Sequence, residues 1–202
     1  DEIYNEYNEY TFNNWSSTII VFEIFFLFNY ILNTMYRKTK LIYYVSNKYK
    51  ESPTWFIDPN VISNDFIDSI DGHYNDEFKS KNKPLKAHHK KYINDKYAPA
   101  WKSLEFFTFG TILKIFKSLN ENEIKERVSN LYGIRNLGKF INLMNTIVFL
   151  RNTCAHSGVI FDLNLPKGIS IVPGIEFNNN NRSSLDSSIK IVLFQKNEMH
   201  PQ

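Results

Sequence analysis

Between Trp15 and Tyr49 the chain contains neither glycine nor proline. A stretch that long without a breaker, in a sequence with few strand signals, reads as one long helix or two abutting ones. Its second half, "RKTKLIYYVSNKY", places Leu41, Tyr44, Val45 and Tyr49 at helical spacing. The two prolines of "SPTWFIDPN" end it. Downstream, "APAWKSLEFFTFGTILKIFKSL" sets Trp101, Glu105 and Phe109 at i, i+4 and i+8, and predicts another helix opening at Pro99. "NENEIKERVSNLYG" predicts a short helix with Asn120 as N-cap and Gly133 as its stop. A further helix is expected from about Asn136 to Ala155, its apolar stripe formed by Phe140, Leu143, Met144, Ile147 and Leu150.

These elements give an all-α fold, a small bundle. Residues 1–14 read as a polar lead-in and 15–158 as the helical domain, including a basic insert at 60–96. Residues 159–202 form an irregular C-terminal extension punctuated by Pro, Gly and Asn, with "SSIKIVLFQK" as a late helix or strand. The chain begins at Asp1 rather than Met, so its natural start is expected upstream.

Composition narrows the setting. The hydrophobic fraction of 43% argues for a folded chain. One cysteine, Cys154, cannot form an internal disulfide, which places the protein in a reducing cytosol. The net charge of +3 permits nucleic-acid binding without demanding it. Ser17–Tyr36 approaches the length of a membrane span, but Glu23, Asn29 and Asn33 interrupt it. A carboxylate inside a span costs about 3 kcal/mol, so a buried core helix is the reading, with no membrane partner.

The candidate chemistry lies in "FLRNTCAHSG", Phe149 to Gly158. Arg151 and His156 lie five residues apart. On a regular helix that separates them by about 140° and about 7.5 Å along the axis. Either the helix ends near Ser157-Gly158, or a second copy completes the site. The pair suits RNA cleavage without a metal. Neutral His156 takes the 2′-OH proton, Arg151 stabilises the charge on phosphate, and Asn152 holds the imidazole or the phosphate. The same residues equally describe a capped helix end, where Arg and His complement the macrodipole.

Two blocks in register separate these readings. "LRNTCAH" resembles the L-R-N-x-C-A-H signature of the Abi-like (AbiD/AbiF) abortive-infection family within the HEPN superfamily. Upstream, Pro99, Trp101, Glu105, Phe109 and Gly110 fall on the positions of its second motif. A weaker match covers "MYRKTKLIYYVSNKYKESPTWFIDP". The resemblance implies a HEPN-like helical bundle that dimerises so that two R-x-x-x-x-H motifs face each other. It further implies a metal-independent endoribonuclease of bacterial antiphage defence or toxin–antitoxin systems, cytoplasmic and without cofactors, sometimes held in check by a small structured RNA. By carry-over Arg151 and His156 are catalytic and Asn152 assists. The chain departs from the family where Ser157 replaces a second His, where Asn33 replaces an acidic residue, and in its short C-terminal region.

Other residues carry secondary expectations. Glu105, on an aromatic stripe, is expected to be buried and to pair with Arg151 or Arg37, in the first case orienting the arginine. In the basic run Lys79–Lys96, the residues Lys86, His88, His89, Lys90 and Lys91 are candidate RNA contacts, with both histidines exposed and no metal bound. Cys154 is expected to pack behind the site, and Trp55 and Trp101 to anchor the core. The alternative function is a non-catalytic RNA-binding protein that grips a structured RNA in the same pocket.

Overall fold

The computed structural model describes residues 38–155, 164–171 and 174–191. Within them the fold is an all-α helical bundle with no β-strand, only the isolated bridges Ile62–Leu119 and Asn164–Ser184. The helices are α1 (38–48), α2 (Asn64–Ser69), α3 (Asp76–Lys81), α4 (Lys83–Lys91), α5 (Ala100–Ser103), α6 (Phe109–Ser118), α7 (Asn122–Asn130), α8 (Leu137–Ala155) and α9 (185–191). No helix among the described residues is long and apolar enough to cross a membrane, and Ser17–Tyr36 lies outside them.

The longest element, α8, organises the core. Asn136 starts it, its Oδ1 accepting the Lys139 N–H at 2.9 Å. The predicted stripe is buried in full: Phe140, Leu143, Met144, Ile147 and Leu150. α6 and α7 both pack on this helix. α6 runs antiparallel to α8, since Phe116 meets Phe140 edge-on at 5.4 Å, Lys117 Nζ reaches Asn145 Oδ1 at 2.8 Å, and Gly110 lies beside Val148. The start of α6 therefore sits near the C-terminal end of α8.

The inward stripe of α1 also follows the sequence pattern. Leu41 and Val45 are buried, with Tyr44 and Tyr49 packed against them. Trp55 is an anchor as expected, fully enclosed, its indole N–H donating to Ser46 Oγ at 2.9 Å. The segment after it is clipped to α6 through Ser63 N–H to Ser118 O and Asn120 N–H to Val61 O. Asn120 is thus engaged in this clip, and Glu121 occupies the N-cap position of α7. Gly133 does end that region, in the left-handed conformation at φ 66°.

Four further expectations are corrected. The helix predicted from Pro99 through the FGTILKIF run is broken between Ser103 and Phe109. Trp101, Glu105 and Phe109 consequently share no stripe. Trp101 is 62% exposed instead of anchoring the core, and Glu105 is exposed as well. His88 is buried at 6% exposure, not displayed on a basic face.

The charge-dense stretch 60–96 supplies Val61, Ile62, Phe66, Ile70 and Tyr74 to the same apolar cluster as α6 and α8. Of the late segments, 164–170 pairs with 181–184 through Leu165 N–H to Ser183 O and Ile169 N–H to Arg182 O. Leu165, Ile169 and Ile191 of these segments join the core cluster.

Candidate functional site

Arg151 and Asn152 occupy the last described turns of α8, both exposed. Helical geometry persists through both residues to Ala155. Arg151 Nη1 donates to Asn152 Oδ1 at 3.0 Å. The carboxamide thereby holds one edge of the guanidinium fork. Its other N–H groups have no protein acceptor among the described residues, the state in which an arginine can take up a phosphate bidentately. His156 lies outside the described residues, as do Ser157, Arg37 and Asn33.

The neighbourhood of this turn is set by the break between α5 and α6. In a continuous helix the Phe109 N–H would bond to Glu105 O and the Thr111 N–H to Phe107 O. Here Lys38 Nζ donates to both carbonyls, to Glu105 O at 3.3 Å and more closely to Phe107 O. The Thr111 N–H goes instead to Thr108 Oγ1 at 3.2 Å, which makes Thr108 the N-cap of α6. Burial lowers the Lys38 pKa, and the Glu105 carboxylate acts in the opposite sense. The charge facing Glu105 is therefore Lys38. Among the described residues Glu105 forms no ion pair with Arg151.

A groove of about 540 Å³ adjoins this break, lined by residues of α1 together with Lys50, Trp101 and Glu105. Tyr43, 60% exposed, and Trp101 both line it. The sequence carries a signal for each feature that was passed over. Tyr43 falls off the Leu41/Val45 stripe, and Thr108 precedes an apolar run as an N-cap does.

The basic candidates divide. Lys86, Lys90 and Lys91 are exposed on α4. His89 is committed within the fold: Tyr74 Oη lies 2.9 Å from its Nε2, and Asp95 O lies 3.1 Å from its Nδ1. Asp95 O can only accept, so Nδ1–H donates to it, and in the neutral ring Nε2 accepts from Tyr74 Oη, which itself accepts the Ala98 N–H at 2.9 Å. His88 Nε2 is 3.3 Å from Asp95 Oδ2 without hydrogen-bond alignment. Among the described residues no three His, Cys, Asp or Glu converge as metal ligands.

An all-α bundle displaying an Arg-Asn pair at the end of its longest helix defines the structural class. Within that class the particular family is shown by sequence: the model of the Abi-like protein family matches residues 26–162, and the chain belongs to this family. No curated protein and no solved structure matches it significantly.

Proposed function

We propose that the protein is a HEPN-type endoribonuclease that cuts RNA without a metal, in antiphage abortive infection or as an RNA-regulated toxin. The observation that carries the reading is Arg151, exposed at the end of α8 with its guanidinium held by Asn152, inside the stretch that matches the Abi-like family. The ribose 2′-OH attacks the adjacent phosphorus while neutral His156 takes its proton, and the P–O5′ bond breaks. The Arg151 fork neutralises charge on the non-bridging oxygens. His156 of a second copy protonates the departing 5′-oxygen, leaving a 2′,3′-cyclic phosphate and a 5′-hydroxyl. The internal nucleophile and the permanent cation supply what this route requires, so no cofactor enters it.

The dimer follows from ideal helical spacing. α8 is helical to Ala155, and on a regular helix two positions five residues apart lie about 140° apart, so in this reading a second copy supplies the other half of the site. Exposed Lys86, Lys90 and Lys91 on α4 supply phosphate contacts away from the reacting bond. The proposed setting is the bacterial cytoplasm, with a small structured RNA as the restraining partner.

Purified protein incubated with RNA in EDTA tests the mechanism. Wild type is expected to cleave, and Arg151→Ala and His156→Ala each to lose at least about 100-fold in rate. Loss of cleavage in EDTA overturns the metal-free route. Tight binding with no cutting by wild type, across varied RNAs, supports the non-catalytic RNA-binding alternative.

A further inference from the structure

The Tyr43/Trp101 groove is not used by this mechanism, and its chemistry is specific. Large aromatic rings are ordinarily buried, and the other described tryptophan, Trp55, is fully enclosed with its N–H satisfied. Trp101 and Tyr43 instead expose more than half their surface on the walls of one groove. Its volume lies in the range that receives a compact organic ligand, a nucleotide included. Lys38 and Lys50 line the same groove, and Lys102 Nζ lies 5.1 Å from the Trp101 ring centroid. Glu105 is the single carboxylate among the lining residues, and Lys38 faces it. Stacking faces bordered by a cation are what a single-stranded nucleic acid needs, with a base on each ring and a phosphate against exposed Lys50, the Lys38 ammonium being held by Glu105 O and Phe107 O. A duplex offers no free base faces, and a purely apolar partner makes no use of the lysines.

We propose that this groove is a single-stranded RNA subsite, in which bases stack on Trp101 and Tyr43 and the backbone runs past Lys50. The proposal rests on the RNA reading above and assigns the path of the strand outside the reacting phosphate. Continuity with the motif supports it. Glu105 at the groove precedes Gly110 by five residues, Gly110 lies beside Val148, and Val148 stands one helical turn before Arg151. In the proposal the RNA strand leaves the groove along this edge toward the turn that carries Arg151.

The test uses the full chain bearing His156→Ala, so that RNA is bound without being consumed, and a short fluorescein-labelled oligouridylate as probe. The parent is expected to bind, with quenching of tryptophan fluorescence. The double variant Trp101→Ala/Tyr43→Ala is expected to bind at least about 10-fold more weakly. Trp101→Phe is expected to retain most of the affinity, and Lys50→Ala to reduce the salt slope by about one phosphate contact. Both rings are exposed, so thermal melts of the variants are expected to match the parent. Binding by the parent that the double variant leaves unchanged overturns the subsite while the RNA reading stands. Protection of Trp101 from acrylamide before RNA is added also overturns it, because other chain atoms then fill the groove. Absence of single-stranded RNA binding by the parent removes the RNA reading and the subsite together.

Discussion

His88 sits in α4 with its ring against His89 and Tyr92, buried, and without an aligned hydrogen bond at Nε2. Burial is the largest influence on its pKa and lowers it. Lys102 and His89 act in the same direction, and only Asp95 opposes them. The imidazole is therefore neutral in the folded protein at neutral pH, which makes it a packing group rather than a phosphate contact. The consequence for stability has a definite sign. As pH falls through the ordinary histidine range near ~6.5, the unfolded chain binds a proton that the folded chain still refuses, so stability declines. His73, shifted down by burial and by Lys114, contributes in the same direction. Urea unfolding at pH 7.5 and pH 5.5 is expected to show lower stability at pH 5.5. In His88→Leu the dependence is expected to be shallower, with the His73 part remaining. Identical pH slopes in the two proteins would show that His88 is protonated as readily folded as unfolded.

At the scale of elements, the decisive feature is the interruption between α5 and α6. It exists because Lys38 takes the two carbonyls, Glu105 O and Phe107 O, that a continuous helix would use, and Thr108 takes the freed Thr111 N–H. Thr108→Ala removes this cap and is expected to cost about 1 kcal/mol in denaturant unfolding. Gly110→Ala, two residues on, is expected to be neutral or stabilising by up to ~1 kcal/mol. Its added Cβ meets Val148 Cγ1 at an ordinary 3.8 Å, and alanine is the better helix former. Marked destabilisation by Gly110→Ala would mean that α6 and α8 approach more closely than this. The same elements show what can be read from the sequence. α8 was legible because its stripe is apolar, period-matched and bounded by Asn136, and all five predicted residues are buried. The α5–α6 break was not, because Trp101, Glu105 and Phe109 obey helical spacing, while the group that interrupts the helix comes from a lysine far away in sequence. The buried role of His88 was hidden similarly, since the lysines around it describe an exposed face and Leu85 alone marks the inward one. Arg151 and Asn152 could be placed near the end of a helix from the sequence, but the Tyr43/Trp101 groove needed α1 and α5 brought together.

At the scale of the whole molecule, α8 leaves Arg151 and Asn152 exposed among the described residues rather than inside the bundle. Its stripe ends at Leu150, and the next two residues face solvent. An exposed Arg-Asn turn on one copy is half of the composite site proposed above, and the bundle gives it a rigid mount through α6 and α7. The proposed arrangement would make activity a property of pairs of chains. If each reacting phosphate needs groups from both copies, a His156→Ala chain inactivates any wild-type chain with which it pairs. Random assortment of equal amounts leaves about a quarter of the dimers fully wild type. At fixed total protein, after the subunits have exchanged, RNA cleavage is therefore expected to fall to about a quarter of the wild-type rate. Autonomous subunits would instead retain about half. Light scattering on the same samples confirms that dimers are present at the assay concentration. A rate of one half, or full activity from a species that scatters as a monomer, would place a complete site in every chain.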